Sequence, residues 1–191
     1  MDSNEDPYPN PYRQKANPSQ AYEITLTIED APGPFAVVNG YASYNIVGET
    51  CLPPRDNFAG VQRAPTRNSV PVEYRKVAAN QYLATIHTDL MEAADYYGRG
   101  VCQWEFNALT TALAASGTEG ETKFISHLMP DELIDGSGVT THFWKENYPR
   151  IESSIPRDFG IREKEGESAN PPPDSRNKYF TAHITARKPS P

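Results

Sequence analysis

Residues Tyr22–Ile28 place an apolar side chain at every second position, Tyr22, Ile24, Leu26 and Ile28, with Glu23, Thr25 and Thr27 between them. Successive side chains leave a pleated backbone on opposite sides, so this period of two fits a half-buried strand. Tyr179–Arg187 repeats the pattern with Phe180, Ala182, Ile184 and Ala186. Six more segments read as strands. Ala36–Val47 carries Ala42, Tyr44 and Ile46 on one face. Val70, Val72 and Tyr74 mark a strand that Pro71 confines to a sheet edge or a strand start. Tyr82–Thr88, Val101–Leu109 (with Cys102, Trp104, Phe106 and Ala108 inward), Thr122–Leu128 and Val139–Trp144 complete the set. The 18 prolines and 12 glycines favour turns between short strands over a helical bundle. The expectation is a mainly β fold, a single antiparallel β-sandwich of about eight strands with one or two short helices.

The helical candidates are Thr88–Asp95 and Ala108–Ser116, the second competing with the end of a strand. Residues 1–21 hold Pro7, Pro9, Pro11 and Pro18 among polar residues and read as a flexible tether. Residues 22–188 are the sandwich domain, within which 150–178 form a long polar loop, and 189–191 are a tail. The tether lacks the apolar stretch of a signal peptide, so an exported form is expected to have lost its signal or had it replaced by Met1.

Lys and Arg number 18 against 25 Asp and Glu, a net charge of −7. Phosphate backbones need a basic footprint, so a nucleic-acid partner is not expected, nor a basic membrane-binding face. No apolar run is long enough to span a bilayer as a helix. The two cysteines, Cys51 and Cys102, permit one bridge, which implies an oxidising compartment; the alternative is two unrelated buried thiols.

The chain contains no phosphate-binding glycine loop, nucleophile elbow or metalloprotease helix. His87, His127, His142 and His183 fall on four different strands or their ends, and no spacing points to a metal or another cofactor. Asp131, Glu132 and Asp135 are read either as an acid/base pair of the glycosidase kind or as a solvated loop with Asp131 capping a turn. Tyr96–Gly100 with Gln103 and Asn107 resembles a short stretch of chitinase-like lysozymes, without that family's Glu in a His-Glu context.

A broader resemblance runs over residues 22–188. It is carried by Tyr44, by Cys51-Leu-Pro-Pro54, by Asp95–Phe106, by His142–Pro149 and by the closing Phe180–Lys188. Together these resemble small lipoprotein-like bacterial envelope proteins that accompany interbacterial toxin systems, such as type VI secretion effectors, as immunity proteins. The lipobox of such lipoproteins is missing here. The resemblance implies a periplasmic protein, tethered in its native form by a lipid anchor that this chain does not show. Its function would be to neutralise a cognate secreted effector by direct occlusion, with no catalysis and no cofactor.

An acidic chain suits a basic, envelope-targeting effector. Segment 119–135 has Glu119, Glu121, Asp131, Glu132 and Asp135 against the single Lys123, which makes it the electrostatic candidate for the contact. Trp144, Tyr148 and Arg150 add the residue types enriched in binding hot spots. Phe143 and Trp144 are neighbours on a strand and so point to opposite faces. The alternative functions are an envelope carbohydrate-binding module stacking sugars on Trp144, Tyr148 and Tyr97, and a cell-wall hydrolase using Asp131, Glu132 or Glu105.

Overall fold

The computed structural model describes residues 10–54, 64–150, 157–163 and 171–189 of the 191-residue chain. Among them are eleven strands: β1 (Ala21–Glu29), β2 (Val37–Val47), β3 (Arg67–Glu73), β4 (Arg75–Ala78), β5 (Gln81–His87), β6 (Gln103–Ala114), β7 (Lys123–Leu128), β8 (Val139–Trp144), β9 (Arg157–Asp158), β10 (Ile161–Glu163) and β11 (Tyr179–Arg187). A six-stranded sheet in the order β10-β8-β11-β1-β5-β4 packs on a five-stranded sheet in the order β3-β2-β6-β7-β9. All pairings are antiparallel except β7 with β9. The protein is a β-sandwich; the eight expected strands are all present, and β4, β9 and β10 are short additions.

The alternation that marked β1 and β11 works as a register device. Leu26 lies opposite Ile184 on one side and Tyr82 on the other, so one row of apolar side chains crosses three strands. The core is completed by Phe124 from the five-stranded sheet against Phe143 and Phe180 from the six-stranded one, at ring-centroid distances of 5.4 and 5.0 Å. Burying each such ring stabilises the fold by about 1.5–3 kcal/mol. Several buried polar groups pair across the sandwich, as burial favours. The Ser126 and Thr141 hydroxyls lie 2.7 Å apart, and the Tyr44 hydroxyl donates to the His87 carbonyl at 2.6 Å. Tyr74, at the corner where β3 passes into β4, meets the Thr111 hydroxyl at 2.8 Å, and burial pushes its phenol up to about 12.

Three expectations need correction. Ala108–Ser116 is not helical. β6 runs through Ala114, because β2 and β7 flank it and satisfy its backbone, which outweighs the helix propensity of its alanines. A β-bulge against Ser43/Tyr44 lets Ala108 and Leu109 both be buried. Thr88–Asp95 is not helical either. Its backbone pairs with the N-terminal segment: Lys15 N donates to Leu90 O at 2.8 Å and Glu92 N to Arg13 O at 2.9 Å.

That pairing corrects the tether as well. Residues 10–20 are a strap packed along the sandwich, while the remaining tether residues 1–9 lie outside the described residues. Tyr12 sets its ring edge-on to Trp104 at 4.6 Å and to Tyr96 at 5.1 Å. The Asp89 carboxylate receives the backbone N–H groups of Ser19 and Gln20 and the Lys15 ammonium.

The acidic stretch after β7 holds a one-turn-and-a-half helix, α1 (Pro130–Asp135), closed by Gly136 in the left-handed conformation. Asp131 is not its cap. The Glu132 carboxylate reaches back to the Met129 N–H at 2.9 Å. Of the expected long loop, β9, β10 and a 3-10 turn at Pro173–Lys178 are described, and 151–156 and 164–170 lie outside the described residues. Gly160 carries the chain from β9 in one sheet to β10 in the other. Its φ is +58°, and a Cβ there would stand 2.6 Å from the His142 carbonyl oxygen, so only glycine fits. The bridge Cys51–Cys102 is formed and, with Leu52 and Ala64, builds a second, smaller apolar cluster at one end of β6.

Candidate functional site

The outward side chains of the five-stranded sheet follow from its register. One row runs Pro71, Tyr41, Thr110, His127 across β3, β2, β6 and β7, and the next runs Glu73, Asn39, Ala112, Ile125. Phe159, just past β9, stacks on the His127 ring at 6.1 Å with 18° between planes. Along β6 the outward residues Thr110 and Ala112 are small. Tyr41 and Val37 rise on one side and Ile125, His127 and Phe159 on the other, two strand spacings or roughly 10 Å apart. The result is a shallow trough.

This trough is uncharged at its centre. Formal charges sit around it on Arg67, Glu73, Glu105, Lys123 and Arg157. His127 contributes none at neutral pH, because burial and the nearby Arg162 guanidinium hold its imidazole below the usual histidine range. Its Nδ1 lies 3.0 Å from the Thr110 hydroxyl. Six large apolar side chains are exposed among the described residues; Tyr41 (46% exposed) and Phe159 (52%) flank the trough, and Val47 (53%) lies farther along β2, past the Arg67–Asn45–Glu105 row. Exposed apolar side chains flanking a trough can mark an interaction surface.

The acidic segment singled out from sequence does not form one patch. Glu119 and Glu121 sit in the β6–β7 hairpin, Asp131, Glu132 and Asp135 on α1, and the six residues of β7 separate the groups by about 17 Å or more. Two of the five carboxylates are used internally. Glu121 is buried and accepts the N–H groups of Ser116 and Gly117 at 2.9 and 2.7 Å. Burial opposes its charge, but those donors win and hold its carboxyl below the usual range. Glu132 is also buried, and both its oxygens take the Arg162 guanidinium, at 2.6 and 2.8 Å. Glu119, Asp131 and Asp135 are exposed, Asp135 receiving the Ser137 N–H at 2.8 Å.

The three hot-spot residue types are scattered too. Phe143 is fully buried, so Trp144 faces outward on the six-stranded sheet, edge-on to Tyr179 at 5.0 Å with the Lys178 ammonium over its ring. Tyr148 is packed against the core aromatics Phe35 and Phe124, and its hydroxyl donates to the Pro34 carbonyl. Arg150 is exposed beyond it, and its carbonyl receives the Thr122 N–H at 2.9 Å. Tyr97 is bound into the strap cluster through the Tyr12 hydroxyl at 3.1 Å. Trp144, Tyr148 and Tyr97 therefore share no sugar-stacking face. Glu132 is neutralised by Arg162, and Glu105 projects from the five-stranded sheet, on a different element from α1.

The histidines serve local pairings. His142 Nε2 lies 2.8 Å from Glu163, and His183 Nδ1 lies 2.8 Å from the Thr140 hydroxyl. Among the described residues, no group of three or more His, Cys, Asp or Glu is placed to hold a metal ion. Comparison with protein families, with curated proteins and with solved structures finds no match for this chain. Tyr41, Val47 and Phe159 were missed from sequence. Period-two alternation marks which residues of a strand point outward, but says nothing of which outward faces lie side by side.

Proposed function

We propose that the protein is a binding protein of the immunity class: a periplasmic inhibitor that occludes a secreted, envelope-targeting effector. The observation that carries this reading is the exposure of Tyr41 and Phe159 on the two rims of a sheet trough whose centre is uncharged. Exposed aromatic side chains on a preorganised scaffold lose little entropy on binding, and aromatic residues dominate interface energetics. The net charge of −7 favours encounter with a basic partner, most strongly at low salt. A disulfide is compatible with an oxidising compartment such as the periplasm. Relative to the sequence reading, the contact surface moves from the acidic segment to the trough.

The test is co-expression with the secreted toxin encoded beside the gene. The expected results are a complex that survives size-exclusion chromatography and rescue of the cells from toxicity. A Tyr41→Asp/Phe159→Asp double variant that folds yet neither binds nor rescues would place the contact on the trough. Absence of both complex and rescue with the unaltered chain would remove the proposal.

A further inference from the structure

Tyr12 on the strap makes the two tyrosine–tyrosine ring contacts found among the described residues, with Tyr96 at a centroid separation of 5.1 Å and with Tyr97 at 6.3 Å. The two partners are not equivalent. The Tyr96 hydroxyl donates to the Glu92 carbonyl, and the Arg13 guanidinium stands over its ring at 5.3 Å. A cation held on a ring face opposes removal of an electron from that ring. The Tyr97 hydroxyl instead donates to the Tyr12 phenol oxygen at 3.1 Å, and Tyr12 donates in turn to the Pro65 carbonyl. Two phenols 85 residues apart in the chain thus meet oxygen to oxygen, and the ring carbons ortho to each hydroxyl flank the contact.

Trp104 completes the cluster, edge-on to Tyr12 at 4.6 Å, with its indole N–H buried and without an acceptor. Both cysteines are tied up in the bridge, so phenol and indole rings are the groups that one-electron oxidants take electrons from most readily. An indole that has lost an electron recovers it from a phenol in contact, because the phenol can release its proton as it is oxidised. The radical therefore collects on Tyr12 and Tyr97, where each has the other as its nearest coupling partner. Tyr97 also packs on the apolar cluster around the disulfide.

We propose that Tyr12 and Tyr97 are a modification site, an oxidative dityrosine cross-link that welds the strap to the disulfide-bonded end of the sandwich. The oxidant is hydrogen peroxide acting through a haem peroxidase. Each phenol gives up one electron and its hydroxyl proton, and a carbon–carbon bond forms between the two ortho ring carbons. Those carbons then lose their hydrogens to the oxygens, which restores both hydroxyls. The peroxide O–O bond breaks, takes up the two electrons and two protons, and leaves as two waters. The strap, held until then by hydrogen bonds, ring contacts and the Arg13–Glu92 and Lys15–Asp89 pairs, becomes covalent. Unlike the disulfide beside it, the new bond is not opened by thiols.

The experiment treats the whole disulfide-bonded chain, dilute enough to disfavour encounters between chains, with hydrogen peroxide and a haem peptide of peroxidase activity. Dityrosine fluorescence, intact mass and the peptides released by digestion are read on the separated monomer. The expected product is a monomer lighter by two hydrogens, with one cross-linked peptide joining Tyr12 to Tyr97 and cleavage within residues 10–20 slowed about tenfold. Tyr12→Phe and Tyr97→Phe keep the rings and lose one hydroxyl each, and neither should form the monomer cross-link. Tyr96→Phe should form it as the unaltered chain does. Dimers joined through the exposed Tyr41 should appear at high concentration in every variant, which shows that the oxidant is active. A monomer without the cross-link, a link that runs to Tyr96, or one that persists in Tyr97→Phe overturns the proposal.

Discussion

The Glu121 carboxylate accepts the Gly117 N–H at 2.7 Å and the Ser116 N–H at 2.9 Å, so one buried side chain closes the whole β6–β7 hairpin. Replacing it by glutamine removes the charge and turns both charge-assisted bonds into weaker neutral ones. The expected cost is about 1–3 kcal/mol at neutral pH. The folded-state pKa is lowered, so this stability is present above the ordinary carboxylate range and is lost as pH falls through the folded value. Urea midpoints of wild type and Glu121→Gln should therefore differ at pH 7 and converge in acid. Equal midpoints at pH 7 would show that the hairpin does not depend on the carboxylate.

Glu132 and Arg162 tie α1 to β10 by two charged contacts at 2.6 and 2.8 Å. Removing either partner leaves the other without its opposite charge, Glu132 keeping only the Met129 N–H, so Glu132→Ala and Arg162→Met should each destabilise the fold. The double variant should cost less than the two singles together, by about 1 kcal/mol. A double-mutant cycle in thermal or urea unfolding reads this directly, and strict additivity would mean that the pair contributes nothing beyond its separate contacts.

The sandwich was legible because alternation is a local signal. The apolar residues of β1 and β11 can be counted off without knowing their partners, and Pro71 marked β3 as the edge strand it is. What failed was decided at long range. Ala108–Ala114 is strand because β2 and β7 flank it, and Thr88–Asp95 is extended because residues 10–20 lie against it. Counting charge along the chain placed Glu121 and Glu132 in a binding patch, yet each is spent on an internal partner that sequence does not reveal. The trough was unreadable for a related reason: Tyr41 and Phe159 are far apart in sequence and meet only through the strand order β2-β6-β7-β9.

The strap makes a prediction against the reading of residues 10–20 as a loose tether. Burial raises the Asp89 pKa, but the Ser19 and Gln20 N–H groups and the Lys15 ammonium outweigh it, holding the carboxyl well below its usual value. Asp89→Ala should lose about 1 kcal/mol, comparable to a lost helix cap, and Tyr12→Ala should free the aromatic cluster. Hydrogen exchange at Ser19 and Gln20 should speed up in the first variant, and proteolysis within residues 10–20 in both. Unchanged exchange and cleavage would show that the strap is held elsewhere.

Cys51 and Cys102 are 51 residues apart, and a loop of that size restricts the unfolded chain by about 4 kcal/mol in the loop-entropy model. Both sulfurs are buried beside Leu52, so reduction of the folded protein should be slow without denaturant. A Cys51→Ala/Cys102→Ala variant should unfold at a markedly lower urea concentration than the oxidised chain. Identical midpoints would mean that the bridge adds no stability.

Tyr41 and Phe159 provide the sharpest separation of stability from binding. Both side chains are about half exposed, so truncating either should change folding stability by no more than about 0.5 kcal/mol. If the trough is the contact surface, the same truncations should weaken effector binding by about 2 kcal/mol each, the size of an interface hot spot, and chiefly through faster dissociation. Glu119→Gln and Asp131→Asn, which lie off the trough at opposite ends of β7, should alter the association rate and its salt dependence with little effect on dissociation. Surface-resonance kinetics with the purified effector distinguishes the two patterns. Loss of binding in the carboxylate variants with full binding in Tyr41→Ala and Phe159→Ala would return the interface to the acidic segment.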